Sequence, residues 1–406
     1  MLALKLKTGG READLLELPW HLPLAEWPDH DFVLIPVGEH RHVVRFLDLG
    51  DTLFAFKELP ERLARREYDI LEQLREEGLP AVTLIGIATG RVDELGDALD
   101  GVLVTKHLGY SLPYRSLFST PGERELRLRL VDALAVLLVR LHIAGFFWGD
   151  CSLNNALFRR DAGALRAYVV DTETAEHHDQ LSEGQRGIEL DIAAANVAGG
   201  LLDLAAAGLL AELIDPAEVA ELLVERYETL WAELTAVEEL PTTELGRIHE
   251  RLRRLNDLGF DTEEYELRTA DGLVRFRPTV VEEGHHKRQL QRLTGIVAHE
   301  NQARRLLSAM RGYGAWLAQT DGEALPEAVM AYRWLTERWQ PTLELIPSEL
   351  RQRLEDAELY TQILEHNWYM AEQAGHEIKL EVAANDYADH ILAHRSDERR
   401  VLPEED

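Results

Sequence analysis

The period of the hydrophobic pattern changes along this chain, and each change predicts a different kind of element. Positions 32–38, 42–47 and 53–57 are short β-type runs separated by Gly38-Glu39-His40 and by Leu49-Gly50-Asp51. Gly-Asp is a turn signal, so these runs predict a meander of strands. Over 60–77 the spacing becomes helical. Leu63, Tyr68, Ile70, Leu71 and Leu74 form one apolar stripe, stopped by Gly78 and Pro80. Positions 82–89 and 102–105 read as two further strands, so the order β-β-β-α-β-β predicts a small antiparallel sheet carrying one helix. Positions 123–143 predict a long helix with Gly145 as its C-terminal stop. A polar segment, 176–187, then precedes a second apolar helix over 191–207.

From about Pro216 the pattern shifts to alternating charge and leucine with interspersed tryptophan. This predicts amphipathic helices over 216–238, 243–258, 284–318, 326–338, 348–374 and 383–394. Between them, 265–277 reads as a hairpin with Asp271-Gly272 at its turn. At the other end, Pro19, Pro23 and Pro28 argue against a long helix, so 1–29 is expected to be an irregular arm lying against a domain. The expected organisation is an arm (1–29), a strand-rich lobe (30–105), a helical lobe (106–215), a mainly helical C-terminal domain (216–394) and a charged tail (395–406).

Composition narrows the function classes. No apolar run reaches about 18 residues without a charge, so no membrane span is expected. The first ten residues lack the layout of a signal peptide. One cysteine, Cys151, leaves no internal disulfide and suits a reducing cytoplasm. A net charge of −30 argues against a nucleic-acid-coating role, although a local positive pocket would still admit a nucleotide. The basic residues are nearly all arginine. Lys57, one of six lysines, ends an apolar strand, where a compact point charge suits phosphate.

The densest chemistry lies in Trp148-Gly149-Asp150-Cys151-Ser152-Leu153-Asn154-Asn155, followed by an apolar strand ending at Asp171. An acid, an amide five residues on and a strand-end acid are the set that Mg-nucleotide phosphoryl transfer uses. One carboxylate orients the attacking hydroxyl, and oxygen donors share a hard cation with the phosphates. Asp150 is the candidate for the first role, Asn155 and Asp171 for the second. Lys57 would neutralise phosphate from its strand, with Glu67 on the next helix as its partner and Glu72 as the runner-up. Gly38, the single glycine between the first two strands, marks the candidate phosphate loop. Lys106, His107 and Leu108 would connect the lobes and meet the adenine with backbone groups. Asp191 would either accept N–H groups from the catalytic loop or cap its helix. Glu173 is a third acid near the metal or a solvated loop residue. Cys151 is a bystander, with no basic neighbour to activate it. His390 and His394, spaced i,i+4, read as a polar helix face rather than metal ligands. The basic run from His285 to Arg288 would meet either an anionic ligand or the acidic remainder of the chain.

Together these residues resemble the protein-kinase-like superfamily over roughly 30–210, and within it the lipopolysaccharide-kinase-like branch. The leader and the 216–400 region resemble an actinobacterial family in which a kinase-like domain is fused to a domain of unknown function, DUF4032. The resemblance implies an α+β, bilobal protein-kinase-like fold with a mainly α-helical C-terminal domain, and an ATP- and Mg²⁺-dependent transfer of the γ-phosphate to a hydroxyl acceptor. The departures refine it. Trp148-Gly149-Asp150 stands for His-Arg-Asp, Ser152 for the usual lysine, and Asp171-Thr172-Glu173 for Asp-Phe-Gly. Only about 20 residues separate Asp171 from Asp191, with no Ala-Pro-Glu between. A peptide platform does not fit in that space, so a small, sugar-like acceptor is expected. The alternatives are a nucleotide-binding pseudokinase whose C-terminal domain binds a protein partner, and a kinase-fold enzyme that transfers AMP.

Overall fold

In a computed structural model, the strand Leu53–Leu59 (β4) shows how one alternating run builds two surfaces. Phe54 and Phe56 point to one face of a sheet and are buried there, while Ala55 and Lys57 point to the other and line a cavity. Its neighbours repeat the rule. On Gly101–Lys106 (β6), Val102 and Val104 join the Phe56 face, and Leu103 and Thr105 join the cavity. The structure describes residues 3–6, 12–28, 32–33, 42–49, 52–119, 124–211, 214–236, 238–241, 246, 250–251, 255, 264–270, 273–279, 284–321, 325–395 and 397–398. The candidate phosphate-loop residue Gly38 lies outside the described residues, as does most of the strand expected over 32–38.

The remaining strands of this sheet are Ala3–Leu6 (β1), Phe32–Val33 (β2), Val43–Asp48 (β3) and Thr83–Thr89 (β5). All pairs are antiparallel, in the order β1-β5-β6-β4-β3-β2. Strand β1 departs from the irregular arm expected for 1–29. Its Leu-Lys alternation is a strand pattern only two pairs long. Residues 12–28, with a short helix at Glu12–Leu16 (α1), cover the Phe56 face. Trp20 and Trp27 meet edge to face at 5.2 Å, and Trp27 packs on Phe56 at 5.6 Å.

Helix Glu61–Glu76 (α2) buries Ala64, Glu67, Tyr68, Ile70, Leu71 and Leu74. Glu67 is thus an acid within the apolar stripe. Glu72, the runner-up, faces Lys5 and Arg75 instead.

Beyond β6 come helices Tyr114–Ser119 (α3) and Arg124–Ile143 (α4). Helix α4 buries residues on nearly all sides, as the central helix of a lobe must. Two short strands follow, Phe146–Phe147 (β7) and Glu176–His177 (β10), paired with each other. They flank the hairpin Ala156–Asp161 (β8) and Ala164–Val169 (β9). Helix Glu183–Ala206 (α5) starts at a capping box made by Ser182 and Gln185. It therefore begins well before the 191 expected from sequence. Sheet and α2, followed by these helices, give the α+β order of a strand-rich part and a helical part expected from sequence. Among the described residues no helix is long and apolar enough to cross a membrane.

The chain divides into two compact units, the second made of Arg159–Arg166 and Glu228–Arg399. That unit is mainly helical, with a three-stranded sheet in the order β11 (Glu238–Pro241), β13 (Leu273–Thr279), β12 (Glu264–Ala270). Ala270 pairs with Leu273, so a two-residue connection joins the expected hairpin. Its core centres on Trp334, Trp339 and Tyr360, whose rings lie 4.8–5.7 Å apart. Asp161 is buried in this unit and accepts the Gln302 N–H at 2.9 Å, at the start of helix Glu300–Asp321. Of the expected basic run, His286 pairs with Glu300 at 2.8 Å, in line with the internal role. His390 is exposed and contacts Asp386.

Candidate active site

The site begins where α4 ends. Gly145 has φ 82°, and a Cβ there would lie 2.0 Å from the His178 carbonyl, so only glycine fits. Gly149 has φ 79° and again stands where the chain needs the left-handed region. This explains part of the departure from His-Arg-Asp, because an arginine at 149 would be strained. Trp148 explains the rest. It is almost fully buried; its indole N–H donates to the Asp171 carbonyl at 2.7 Å, and its own carbonyl accepts from the Thr174 hydroxyl at 2.9 Å. The tryptophan thus braces the catalytic loop against the end of the strand that carries Asp171.

The structure brings Lys57, Glu67, Asp171 and Glu173 together. Lys57 Nζ lies 3.0 Å from Glu67 Oε2, 2.8 Å from Asp171 Oδ2 and 3.8 Å from Glu173 Oε2. Glu173 also receives His42 Nε2 at 2.9 Å, which places this acid at the site rather than in solvent. Burial alone would lower the Lys57 ammonium pKa, but attraction and hydrogen bonds from Glu67 and Asp171 raise it overall. Burial, with repulsion from Asp171, pushes the Glu67 carboxyl up to about 7 against the pull of Lys57. One ammonium therefore faces a surplus of carboxylate. Arg66, beside Glu67, donates to the Ala175 carbonyl at 3.0 Å and ties α2 to the segment after Asp171.

Asn155 Nδ2 donates to Asp150 Oδ2 and to the Asp150 carbonyl, both at 3.0 Å. The Asn155 carbonyl accepts the Val170 N–H at 3.0 Å, so the loop is fastened to the strand before Asp171. Cys151 beside Asp150 is fully buried, and burial pushes its thiol up, as a bystander requires.

A cavity of about 170 Å³ is lined by Lys57, Glu67, Asn155 and Asp171 at its polar end and by Val44, Ala55, Leu103 and Leu157 among its apolar walls. Lys106 and His107 also line it; Leu108 does not. The His107 main-chain N–H is taken by the Leu53 carbonyl at 2.8 Å, and burial pushes its imidazole down to about 4, so the ring is neutral.

The predicted support residue needs correction. Asp191 is exposed on α5 and makes no hydrogen bond or ion pair with the Asp150 loop among the described residues. The buried acid is Glu189, two residues earlier. Its Oε1 accepts the Gly149 N–H at 2.7 Å, and its Oε2 accepts the Trp148 N–H and His142 Nε2, both at 2.9 Å. His142 Nδ1 meets the Tyr227 hydroxyl at 2.6 Å; the tautomer with its proton on Nε2 satisfies both contacts. Asp191→Ala is accordingly expected to change stability by no more than about 0.5 kcal/mol in urea titrations. A loss of several times that would restore the residue to the site.

Two regions of the chain match known families. The lipopolysaccharide kinase (Kdo/WaaP) family matches residues 49–194, a stretch that holds Lys57, Glu67, Asp150, Asn155 and Asp171. A domain of unknown function, DUF4032, matches residues 229–392. Fold and matched region therefore resemble the protein-kinase-like class. Within it the chain resembles the lipopolysaccharide kinase branch, joined to a DUF4032 region. Among solved structures, one of WaaP in complex with acyl carrier protein is 18% identical, covers 63% of this chain and 99% of its own, and superposes with a TM-score of 0.39. An aminoglycoside-3'-phosphotransferase of type VIII is 16% identical, covers 58% of this chain and 95% of its own, with a TM-score of 0.36. No curated protein matches the chain.

Proposed function

We propose that this chain is an ATP- and Mg²⁺-dependent phosphotransferase that moves the γ-phosphate to a hydroxyl of a small, sugar-like acceptor. The observation that carries the reading is the meeting of Lys57, Glu67 and Asp171 at one end of an apolar cavity, with Asn155 lining the same cavity and holding Asp150. The match to a family named for lipopolysaccharide kinases supports phosphotransfer. Apolar walls suit a purine, and Lys57 suits its phosphates. Asp150 would orient the acceptor hydroxyl. Only residues 172–182 separate Asp171 from α5, too short a segment to form a peptide platform, which favours a small acceptor.

The donor set fits a hard cation. Carboxylate exceeds ammonium around Lys57, and with the Asn155 nitrogen turned to Asp150 its amide oxygen is left for a metal. Among the described residues no three His, Cys, Asp or Glu side chains form a metal cluster; Mg²⁺ in such sites takes much of its shell from phosphates and water. When bound, the ion supplies charge neutralisation at the phosphates.

The test is label transfer in cell extract. With purified protein and Mg²⁺, label from γ-labelled ATP is expected in a small-molecule fraction and is expected to vanish with Asp150→Ala. Nucleotide binding without transfer would leave a pseudokinase, and label arriving only from the α position would mean AMP transfer. A second expectation concerns the metal. Asp171→Asn should abolish the part of ATP-induced thermal stabilisation that depends on Mg²⁺, and retention of that part would remove Asp171 from the metal site.

A further inference from the structure

Both oxygens of the Asp150 carboxylate are held. Asn155 takes Oδ2 from within the loop. The other, Oδ1, accepts from Asn196 Nδ2 at 2.9 Å, and the same amide nitrogen donates to the Cys151 carbonyl at 3.1 Å. Asn196 is 46 positions from Asp150 in sequence. It lies on α5, seven residues and two turns after Glu189, so both project from one face of that helix. Ala193, between them, is fully buried. Helix α5 therefore grips the loop twice. Glu189 accepts N–H groups from Trp148 and Gly149, and Asn196 donates to Asp150 and Cys151.

We infer that Asn196 is a positioning residue for Asp150, setting the plane in which that carboxylate meets the acceptor hydroxyl. This rests on the reading of Asp150 given above. The terminal torsion of an aspartate is broad and two-fold, so one hydrogen bond leaves the carboxylate plane loosely defined. Donors on different oxygens, one from the loop and one from a long helix, fix it. Each amide nitrogen also holds a main-chain carbonyl of the loop, so the donors are themselves fixed. Each Asp150 oxygen keeps a further lone pair for the acceptor. Both donors are neutral, so the carboxylate keeps its charge uncancelled by a paired cation. Ser152 stands where protein kinases carry lysine, and its hydroxyl accepts the Asn155 N–H at 3.2 Å, which serves the loop itself. Holding Asp150 from outside the loop falls to Asn196.

The inference separates from a purely structural role through kcat and KM. In γ-label transfer by the full chain, Asn196→Leu, similar in size but without a donor, is expected to lower kcat by about 10²-fold, the cost of a misplaced catalytic group. The KM for ATP should stay unchanged, since none of the cavity groups is altered. Asn196→Asp should be worse, because it sets a second carboxylate against Asp150. Wild-type kcat in both variants overturns the inference, and so does a loss that appears as a parallel rise in KM for ATP. If the wild-type protein transfers no label, the functional reading has failed, and the inference is decided without turnover. Melting temperatures of wild type, Asp150→Ala, Asn196→Leu and the double variant form a cycle. The Asn196→Leu effect should shrink when Asp150 is absent, and strict additivity overturns the inference.

Discussion

Glu189→Ala is expected to lower stability by about 2–6 kcal/mol, because it strands two buried donors that each cost roughly 1–3 kcal/mol when unpaired, and a third that is half-buried. Those donors are the N–H groups of Trp148 and Gly149 and the His142 ring. The Trp148 N–H and the His142 ring cannot turn to water, since Glu189 and His142 are fully buried and Trp148 nearly so, whereas Gly149 is half-buried. The loss should also reach activity. Trp148 and Gly149 immediately precede Asp150, and their N–H groups are the loop's attachment to α5 on that side. Glu189→Gln discriminates further. It keeps one acceptor oxygen for Gly149 or Trp148 but turns an amide nitrogen toward a second donor. Its cost should fall between wild type and alanine, with label transfer reduced more than folding. Urea titration and γ-label transfer on the same preparations check both parts. A Glu189→Ala protein as stable as wild type would mean that the loop draws its shape from elsewhere.

The contrast between Glu189 and Asp191 shows where the sequence was readable. The segment 176–187 contains Gly184 and Gly187, and glycines in a polar stretch read as loop. In the structure neither glycine has a neighbour within 4 Å of an added Cβ, so both are simply exposed helix positions. The signal that outweighs them is local: Ser182 followed by Gln185 makes a capping box and starts the helix at Glu183. From that start, Glu189 falls on the stripe of Ala193, Val197, Gly200 and Leu204, all buried, and Asp191 falls off it. The stripe also points to Asn196, three residues from Ala193. The same stripe logic holds on α2, where Glu67 sits among buried Ala64, Tyr68 and Leu71 and meets Lys57, while Glu72 lies off the stripe.

Residues tied together by short spacings were legible: Asp150 with Asn155, the strand-end Asp171, and Lys57 closing a run of apolar alternation. The sheet-and-helix order was legible for the same reason, because period 2 and period 3.6 are local signals. Long-range pairings were not. Strand β1 pairs with residues 80 to 86 positions away, and Trp148 reaches Asp171 across 23. Neither partner carries a mark in its own neighbourhood. Arg91 is the strongest case. It stands in a polar connection after β5, among residues that read as an ordinary exposed loop.

Arg91→Met is expected to cost about 3–5 kcal/mol, the range for breaking a buried ion pair by removing one partner. The Arg91 side chain is wholly buried. It donates to Glu58 Oε1 at 2.6 Å, to the Asp100 carbonyl at 2.8 Å and to the Trp20 carbonyl at 2.9 Å, and it also bonds the Leu22 carbonyl. Glu58 in turn accepts the Leu24 N–H at 3.1 Å. One guanidinium thus fastens the arm that carries Trp20 and Trp27 to the outer face of the sheet. Arg91→Lys should rescue little, since an ammonium has three donors on one atom and cannot span acceptors spread along the arm. Glu58 follows Lys57 on β4 and points to the opposite face, so freeing it loosens the strand that presents Lys57. The expected readouts are an early unfolding transition, a change in Trp20 and Trp27 fluorescence, and proteolytic cleavage within 12–28 under conditions that leave wild type intact. A variant that melts with wild type and keeps its arm protected would show that the tryptophan and Phe56 packing holds the arm without the ion pair. The arm would then be an apolar cover, and its polar latch would contribute nothing to the position of Lys57.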